Sequence, residues 1–166
     1  MDLLGMMKTE AVRILEQLAL PHRVQRFAVH RFGATAASAE DAAEALGVPL
    51  ASIVKTIVLR GDRTGVMRVC VPGTRRLNLK KLARASGNKH VVLVPVEHLQ
   101  RLTGYVRGGV SPLGGRTPHP VFCDASIQTQ TRVFVNGGMR GLQIDLAPDA
   151  LVRAVNATVA DLSDEA

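Results

Sequence analysis

A strong strand signal comes from the run Ile53-Val54-Lys55-Thr56-Ile57-Val58-Leu59, which is followed by Gly61-Asp62-Arg63-Thr64-Gly65 and Val66-Met67-Arg68-Val69-Cys70-Val71. Both apolar runs are rich in β-branched residues and have the length of strands. The segment between them contains the glycine and aspartate that turns favour. Two strands joined by such a turn predict a β-hairpin.

Shorter elements surround this hairpin along the chain. Ser38 and Asn78 are typical helix N-caps, and Gly47 and Gly87 are typical helix ends. Helices are predicted over 9–18, 39–46, 79–84, 97–102 and 148–155, and further strands over 24–29, 91–94, 120–123, 132–135, 142–146 and 159–162. Because regular βαβ alternation is rare here, we expect an α/β (α+β) fold with a mixed, mostly antiparallel sheet of about seven strands flanked by helices.

Composition narrows the classes of function. The 166 residues predict one domain, residues 1–166, and the formal net charge of +7 predicts an anionic partner such as a phosphate polymer or a membrane surface. Four Phe, one Tyr and no Trp are too few for a base-stacking platform. No apolar run approaches the roughly 20 residues that a membrane span needs. Of the two anionic partners we expect the phosphate polymer and not the membrane. The start Met1-Asp2-Leu3-Leu4 lacks the basic flank of a signal peptide, which makes a cytoplasmic location the expectation.

The cysteines and histidines predict neither a disulfide framework nor a metal site. Cys70 and Cys123 both lie in apolar runs without CxxC spacing, and we expect two buried free thiols. The five histidines are scattered and form no HExxH motif. We expect no metal and no cofactor.

Lys55 is the most informative single residue. In a strand it shares a face with Ile53 and Ile57, while Thr56 points to the other side. An ammonium among aliphatic side chains is costly unless it is paired or its pKa falls, and both conditions are typical of a binding site. The alternative is a lysine whose stem packs and whose head reaches water.

Two glycine-rich segments are further candidates. The stretch 104–120 is a long irregular loop, of the kind that is often functional, and its Gly108–Gly114 part can present backbone N–H groups to an oxygen atom or form only a tight turn. Asn136-Gly137-Gly138 taken alone is most simply a hairpin turn. No nucleophile elbow, catalytic triad or paired-carboxylate pattern is present, so a hydrolase of this sequence would work without a side-chain nucleophile.

Basic residues are concentrated in one short segment that includes a predicted helix. This segment either contacts phosphates or is a solvated helix face. Its members are Arg75, Arg76, Lys80, Lys81, Arg84 and Lys89.

Four motifs follow one another along the chain: Val54-Lys55-Thr56-Ile57-Val58, Leu77-Asn78-Leu79-Lys80-Lys81-Leu82-Ala83, Thr103-Gly104-Tyr105-Val106-Arg107-Gly108-Gly109-Val110-Ser111-Pro112-Leu113-Gly114, and Val135-Asn136-Gly137-Gly138-Met139-Arg140-Gly141-Leu142. Together they resemble the YbaK/EbsC family, the free-standing relatives of the prolyl-tRNA synthetase editing domain. The similarity extends from about Ala11 to Leu162, nearly the whole chain.

The resemblance implies a trans-editing enzyme that hydrolyses the ester between an amino acid and the terminal adenosine of mischarged tRNA. Mischarged tRNA is then the partner, with prolyl-tRNA synthetase as a second candidate. The family's functional lysine matches Lys55, which is expected to hold the terminal nucleotide or the ester oxygen while backbone N–H groups stabilise the oxyanion. The substrate-binding residues that the resemblance implies are Phe27, Thr56, Gly108, Gly109, Ser111, Pro112, Asn136, Gly137, Gly138 and Gln143, and the basic segment supplies the tRNA contacts.

Three positions depart from the members that remove cysteine. Phe27 stands where they carry tyrosine, Asn136 where they carry serine and Gln143 where they carry aspartate. Because small side chains are hard to distinguish by apolar fit, Cys-tRNA(Pro) is the leading substrate, with alanine, serine or another small amino acid left open. A non-catalytic tRNA-binding or synthetase-associated module, and a hydrolase of a small nucleotide-containing ester, are the alternative functions.

Overall fold

The structure, a computed structural model, describes residues 8–29 and 37–166. Its α-helices are α1 (Glu10–Gln17), α2 (Ala39–Leu46), α3 (Leu79–Ser86), α4 (Val96–Thr103) and α5 (Pro148–Val155). Its strands are β1 (His22–Arg26), β2 (Val54–Gly61), β3 (Gly65–Pro72), β4 (Arg75–Leu77), β5 (Val91–Leu93), β6 (Val121–Asp124), β7 (Val133–Asn136), β8 (Leu142–Leu146), β9 (Thr158–Ala160) and β10 (Ser163–Glu165). Short 3-10 turns cover Leu50–Ser52 and Ala125–Thr129.

The predicted hairpin forms the centre of the main sheet. Strands β2 and β3 pair antiparallel from Val54↔Pro72 to Gly61↔Gly65. The sheet has the order β5-β2-β3-β6-β9, in which β6 is parallel to both β3 and β9. A second sheet, β1-β8-β7, is antiparallel throughout, and β4 pairs with β10 as a separate ribbon. The mixed α+β class is therefore confirmed, and residues 8–29 and 37–166 contain ten strands in three sheets where about seven in one sheet were expected.

The missed strands are short. β4 and β10 have three residues each and lie far apart in sequence, so no periodic pattern predicts them. The first strand covers residues 22–26 and not 24–29, because its place is set by antiparallel pairing with β8, from His22↔Leu146 to Arg26↔Leu142.

Local capping chemistry sets the helix ends as predicted. Ser38 and Asp41 form a reciprocal capping box at the start of α2, and the Asn78 side chain accepts from the Lys81 N–H at the start of α3. Gly47 and Gly87 end these helices with φ of 66° and 76°, which glycine adopts without strain. Each α-helix has eight residues, and no helix in the described ranges is long and apolar enough to cross a membrane.

The two faces of β2 are buried in different apolar clusters. Ile57 packs with a cluster that includes Leu82 of α3, while Val54 belongs to a cluster that includes Cys70 and Cys123. Both cysteines are buried and free, as predicted, and they occupy paired positions on β3 and β6. The hydrogen bond with Cys123 and burial raise the pKa of the Cys70 thiol, which makes it a packing residue.

Candidate functional site

A cavity of about 250 Å³ opens where the start of β2 meets the second sheet, the N-terminus of α2 and the irregular loop. An isolated parallel bridge between Ile53 and Phe134 joins the two sheets next to it. This junction brings the beginning of β2 beside the end of β7. Six of the residues implied by the resemblance line the cavity: Phe27, Lys55, Thr56, Gly108, Asn136 and Gln143.

Lys55 lies half-buried at the cavity, and its Nζ donates to the backbone oxygen of Arg75 at 2.8 Å. Burial lowers the pKa of Lys55; the Glu40 carboxylate opposes this effect and the Arg76 guanidinium adds to it. The ammonium thus has a neutral acceptor as its hydrogen-bond partner, and no carboxylate of the described ranges lies within 4 Å of it. An ammonium carries three N–H donors, so donors remain for a ligand.

The ribbon of β4 and β10 positions this lysine. The Arg75 side chain donates through Nε to Ser163 Oγ at 2.6 Å and lies 3.8 Å from the Asp124 carboxylate. These contacts anchor β4 through the Arg75 side chain, and the Arg75 backbone oxygen accepts the hydrogen bond from Lys55. No local sequence pattern predicts this support, because Arg75 and Ser163 are 88 residues apart.

Asn136 connects the irregular loop with the turn between β7 and β8. Its Nδ2 donates to Gly108 O at 3.0 Å and Met139 O at 3.2 Å, and its Oδ1 accepts from the Gly138 N–H at 2.7 Å. Asn136-Gly137-Gly138 is thus a structural turn whose first residue also lines the cavity.

Gly109 brings the loop into close contact with that turn. A Cβ atom at this position would lie 3.2 Å from Met139 Cα and 3.1 Å from Arg140 N. The Gly109 N–H donates to Val106 O at 2.8 Å, which commits it within the loop. Gly108, the neighbouring residue, is the loop glycine that lines the cavity.

The other implied binding residues lie outside the cavity lining. Ser111 is fully buried, and its Oγ accepts from the Leu113 N–H at 3.1 Å. Pro112 lines a second cavity, and the Gly137 N–H donates to Leu142 O at 2.9 Å. Together with Gly109 and Gly138, these residues shape the loop and the turn.

Arg68 supports the loop from inside the protein and was missed by the sequence analysis. It is 1% exposed, and its guanidinium donates to the backbone oxygens of Ser111, Gly114 and Thr117 at 3.1, 2.5 and 3.2 Å and to His119 Nδ1 at 3.2 Å. The signal was available, because an arginine in the middle of an apolar strand is as unusual as Lys55.

Tyr105 holds the same loop through its hydroxyl group. The hydroxyl donates to Leu113 O at 2.5 Å, and the ring lies 5.7 Å from the Arg68 guanidinium carbon. Burial raises the pKa of Tyr105 to about 12, so the hydroxyl keeps its proton at neutral pH.

Gln143 and Asp145 follow each other on one face of β8. Gln143 is largely buried, and its Oε1 has no hydrogen-bond partner among the described residues. Asp145 is fully buried and accepts hydrogen bonds from Arg132 and Gln25. Burial acts to raise the pKa of Asp145, but these hydrogen bonds outweigh it and hold the pKa below its usual value. Gln143 is the uncharged β8 side chain that lines the cavity. Asp145 stays charged beside it and is paired with Arg132.

The basic segment divides into paired and exposed members. Lys81 forms ion pairs with Asp161 and Asp164, both at 3.0 Å, and Arg75 faces Asp124. The side chains of the remaining members are exposed: Arg76, Lys80, Arg84 and Lys89. No group of three metal-ligating side chains occurs within residues 8–29 and 37–166.

Comparisons with known proteins identify the family that this chain resembles. A family model described as "Aminoacyl-tRNA editing domain" matches residues 34–154. An Enterococcus faecalis protein named "Putative Cys-tRNA(Pro)/Cys-tRNA(Cys) deacylase EbsC" is 39% identical over 94% of this chain and 93% of its own length. A proline–tRNA ligase of Thermosipho africanus is 34% identical over 60% of this chain, which is 17% of the ligase. A solved structure titled "Crystal structure of a putative trans-editing enzyme for prolyl tRNA synthetase" superposes with a TM-score of 0.81 and 30% identity, covering 95% of this chain and 99% of that one.

Proposed function

This chain belongs to the family of aminoacyl-tRNA editing domains, and we propose that it is a trans-editing deacylase that hydrolyses the ester bond of mischarged tRNA. The observation that carries the proposal is the cavity in which the Lys55 ammonium and the Gly108 backbone lie together beside Asn136. Cys-tRNA(Pro) is the leading substrate, as the name of the 39% identical relative suggests.

The reaction needs an attacking oxygen and stabilisation of the charge that develops on the ester carbonyl. The two hydroxyl side chains of the cavity are unsuited to attack: Ser38 Oγ caps α2 by accepting from the Asp41 N–H, and Thr56 Oγ1 is buried away from solvent. Neither histidine nor cysteine is found among the described residues that line the cavity. We assign the attack to a water molecule, with a group of the substrate itself as the alternative.

Water adds to the carbonyl carbon, the ester C–O bond breaks, and a water proton ends on the departing ribose oxygen. Lys55 Nζ donates to the ester or to the terminal ribose, and the backbone N–H at Gly108 faces the oxyanion. Preorganised donors of this kind lower the barrier by roughly 3 to 4 kcal/mol each in other hydrolases. Because an aminoacyl ester is already activated, positioning and charge stabilisation suffice.

The lining also restricts the amino acid. Phe27 offers no hydroxyl group, and the Asn136 amide is already bonded to two backbone oxygens. Recognition of the side chain thus falls to cavity size and Gln143, which selects a small amino acid. Alanine and serine esters are the competing substrates in the test.

The test is deacylation of a panel of tRNA(Pro) charged with cysteine, alanine, serine or proline. We expect the wild type to accelerate hydrolysis of the cysteine ester, and Lys55→Ala to lose at least about 100-fold in kcat/KM with an unchanged circular dichroism spectrum. Arg63→Ala is the matched control, since Arg63 is an exposed cation at the far end of the β2–β3 hairpin.

Other outcomes decide between the alternatives. No acceleration on any ester would establish a non-catalytic tRNA-binding module. Equal kcat/KM on an aminoacyl-adenosine ester and on the full tRNA would indicate a hydrolase of small nucleotide-containing esters. Normal deacylation by Lys55→Ala would refute the role of the lysine.

A further inference from the structure

We propose that Arg107 and Arg140 form a phosphate clamp at the mouth of the cavity, which binds the backbone phosphate next to the terminal nucleoside of the tRNA. This inference rests on the proposed function, because it places the 3′ end of the tRNA in the cavity. Neither arginine belongs to the basic segment of residues 75–89.

The two arginines are brought together by the contact between the loop and the β7–β8 turn. Arg107 has an exposed side chain, and it lines the cavity beside Gly108. Arg140 is exposed in the turn that follows β7, and its Nε donates to the backbone oxygen of Arg107 at 2.9 Å. This hydrogen bond holds one guanidinium against the chain segment that carries the other.

The close approach of the backbones reinforces this placement. A Cβ at Gly109 would make a tight contact of 3.1 Å with Arg140 N, and Asn136 Nδ2 ties Gly108 O to the same turn. Both arginines therefore sit on segments that are fixed to each other and to the cavity wall.

The clamp differs from the other paired cations in its lack of counter-charges. Arg132 binds the Asp145 carboxylate, and Lys81 binds two carboxylates. By contrast, no carboxylate within residues 8–29 and 37–166 lies within 4 Å of Arg107 or Arg140. Two arginines on neighbouring segments, with no carboxylate of the described ranges beside either, make this surface locally positive, and a bound anion offsets that charge.

The size of the cavity explains why the phosphate lies at its mouth, where the arginines are. A volume of about 250 Å³ lies just below the roughly 300 to 1,000 Å³ of common ligand pockets. It suits an aminoacyl ester with part of its nucleoside, so the first phosphate stays outside at the mouth. Guanidinium groups match phosphate oxygens in geometry and bind them in a bidentate manner.

The first experiment measures binding without turnover. The dissociation constants of uncharged tRNA and of a CCA trinucleotide are determined against salt concentration for wild type, Arg107→Ala, Arg140→Ala and Arg63→Ala. Each clamp variant is expected to bind about tenfold more weakly at low salt. The slope of log Kd against log salt concentration should be smaller than that of the wild type by about 0.7. Arg63→Ala removes the same charge from a site about 20 Å from Lys55 by strand rise and should stay within about twofold of wild type.

The second experiment separates phosphate contact from a structural role. In deacylation, Arg107→Ala should raise KM for aminoacyl-tRNA about tenfold, whereas kcat/KM for a phosphate-free aminoacyl-adenosine ester should change by less than about threefold. Arg107→Lys should restore part of the binding, because it keeps the charge without the bidentate geometry.

Equal losses on the tRNA and on the phosphate-free ester would overturn the clamp, and so would wild-type binding and salt slope in both alanine variants. If the wild type binds tRNA but hydrolyses no ester, the proposed function fails while the binding experiment still decides the clamp. If the wild type binds no tRNA, both proposals are wrong.

Discussion

Replacing Arg68 by methionine tests whether one buried cation holds the irregular loop in place. The guanidinium uses four of its five donors on three backbone oxygens of the loop and on His119, and only Nε lacks a partner in the described part of the chain. Gly115 packs directly against the guanidinium, since a Cβ at this position would lie 2.6 Å from Arg68 Nη2. Methionine fills much of the same space but offers no donor.

The magnitude follows from the acceptors that lose their partner. A buried acceptor left unsatisfied costs roughly 1 to 3 kcal/mol. Ser111 is fully buried and bears the full cost, whereas Thr117 is exposed and its oxygen regains water. Removal of the guanidinium also recovers its desolvation cost. We therefore expect a loss of about 2 to 4 kcal/mol in the free energy of unfolding.

The measurements are urea denaturation and amide hydrogen exchange. Arg68→Met should exchange faster in the loop 104–120 than in the β2–β3 hairpin, and its kcat/KM should fall about tenfold because the loop carries Gly108. Arg68→Lys should recover part of the stability. If the free energy of unfolding of Arg68→Met stays within about 0.5 kcal/mol of wild type and amide exchange in the loop is unchanged, Arg68 does not hold the loop. An apolar side chain then serves equally well at this position.

Two further predictions concern the same loop. Gly109→Ala should push the loop away from Met139 by a few tenths of an ångström, lower the free energy of unfolding by about 1 kcal/mol and raise KM for aminoacyl-tRNA; an unchanged KM would disprove the tight contact. Burial, with Arg68 adding to it, lowers the pKa of His119, so the unfolded state takes up a proton first and stability should decrease as pH falls below about 6.5 towards the lower folded-state pKa. Urea denaturation between pH 7.5 and 5 checks this, and a His119→Gln variant with the same pH dependence would assign the effect to other groups.

Local sequence signals predicted most of the elements correctly. The hairpin of β2 and β3 is encoded within 19 residues, and the capping residues Ser38 and Asn78 act within one helical turn. Lys55 was identified by the same reasoning, because strand alternation alone places it among aliphatic side chains. The family, too, was apparent from the order of four motifs, and the comparisons confirm it.

Long-range contacts decided what each candidate residue does. Ser163 and Asp124 hold the side chain of Arg75, whose backbone oxygen accepts from Lys55, and Asp161 and Asp164 form ion pairs with Lys81. These partners lie tens of residues away, so no window of sequence pairs them. A local sequence pattern shows where charged residues lie, but it does not show which opposite charges they pair with.

Residues close together in the chain were enough to predict the β2–β3 hairpin, the caps of α2 and α3 and the motifs of the family, and to mark Lys55 as a candidate. The packing of the fold was needed to show that Gly108 is the glycine of the loop 104–120 that lines the cavity, that Arg68 supports this loop, and that Arg140 donates to the backbone oxygen of Arg107. The physical reason is that backbone preference and side-chain alternation act over a few residues, whereas the environment of a charge is set by whatever the fold packs against it.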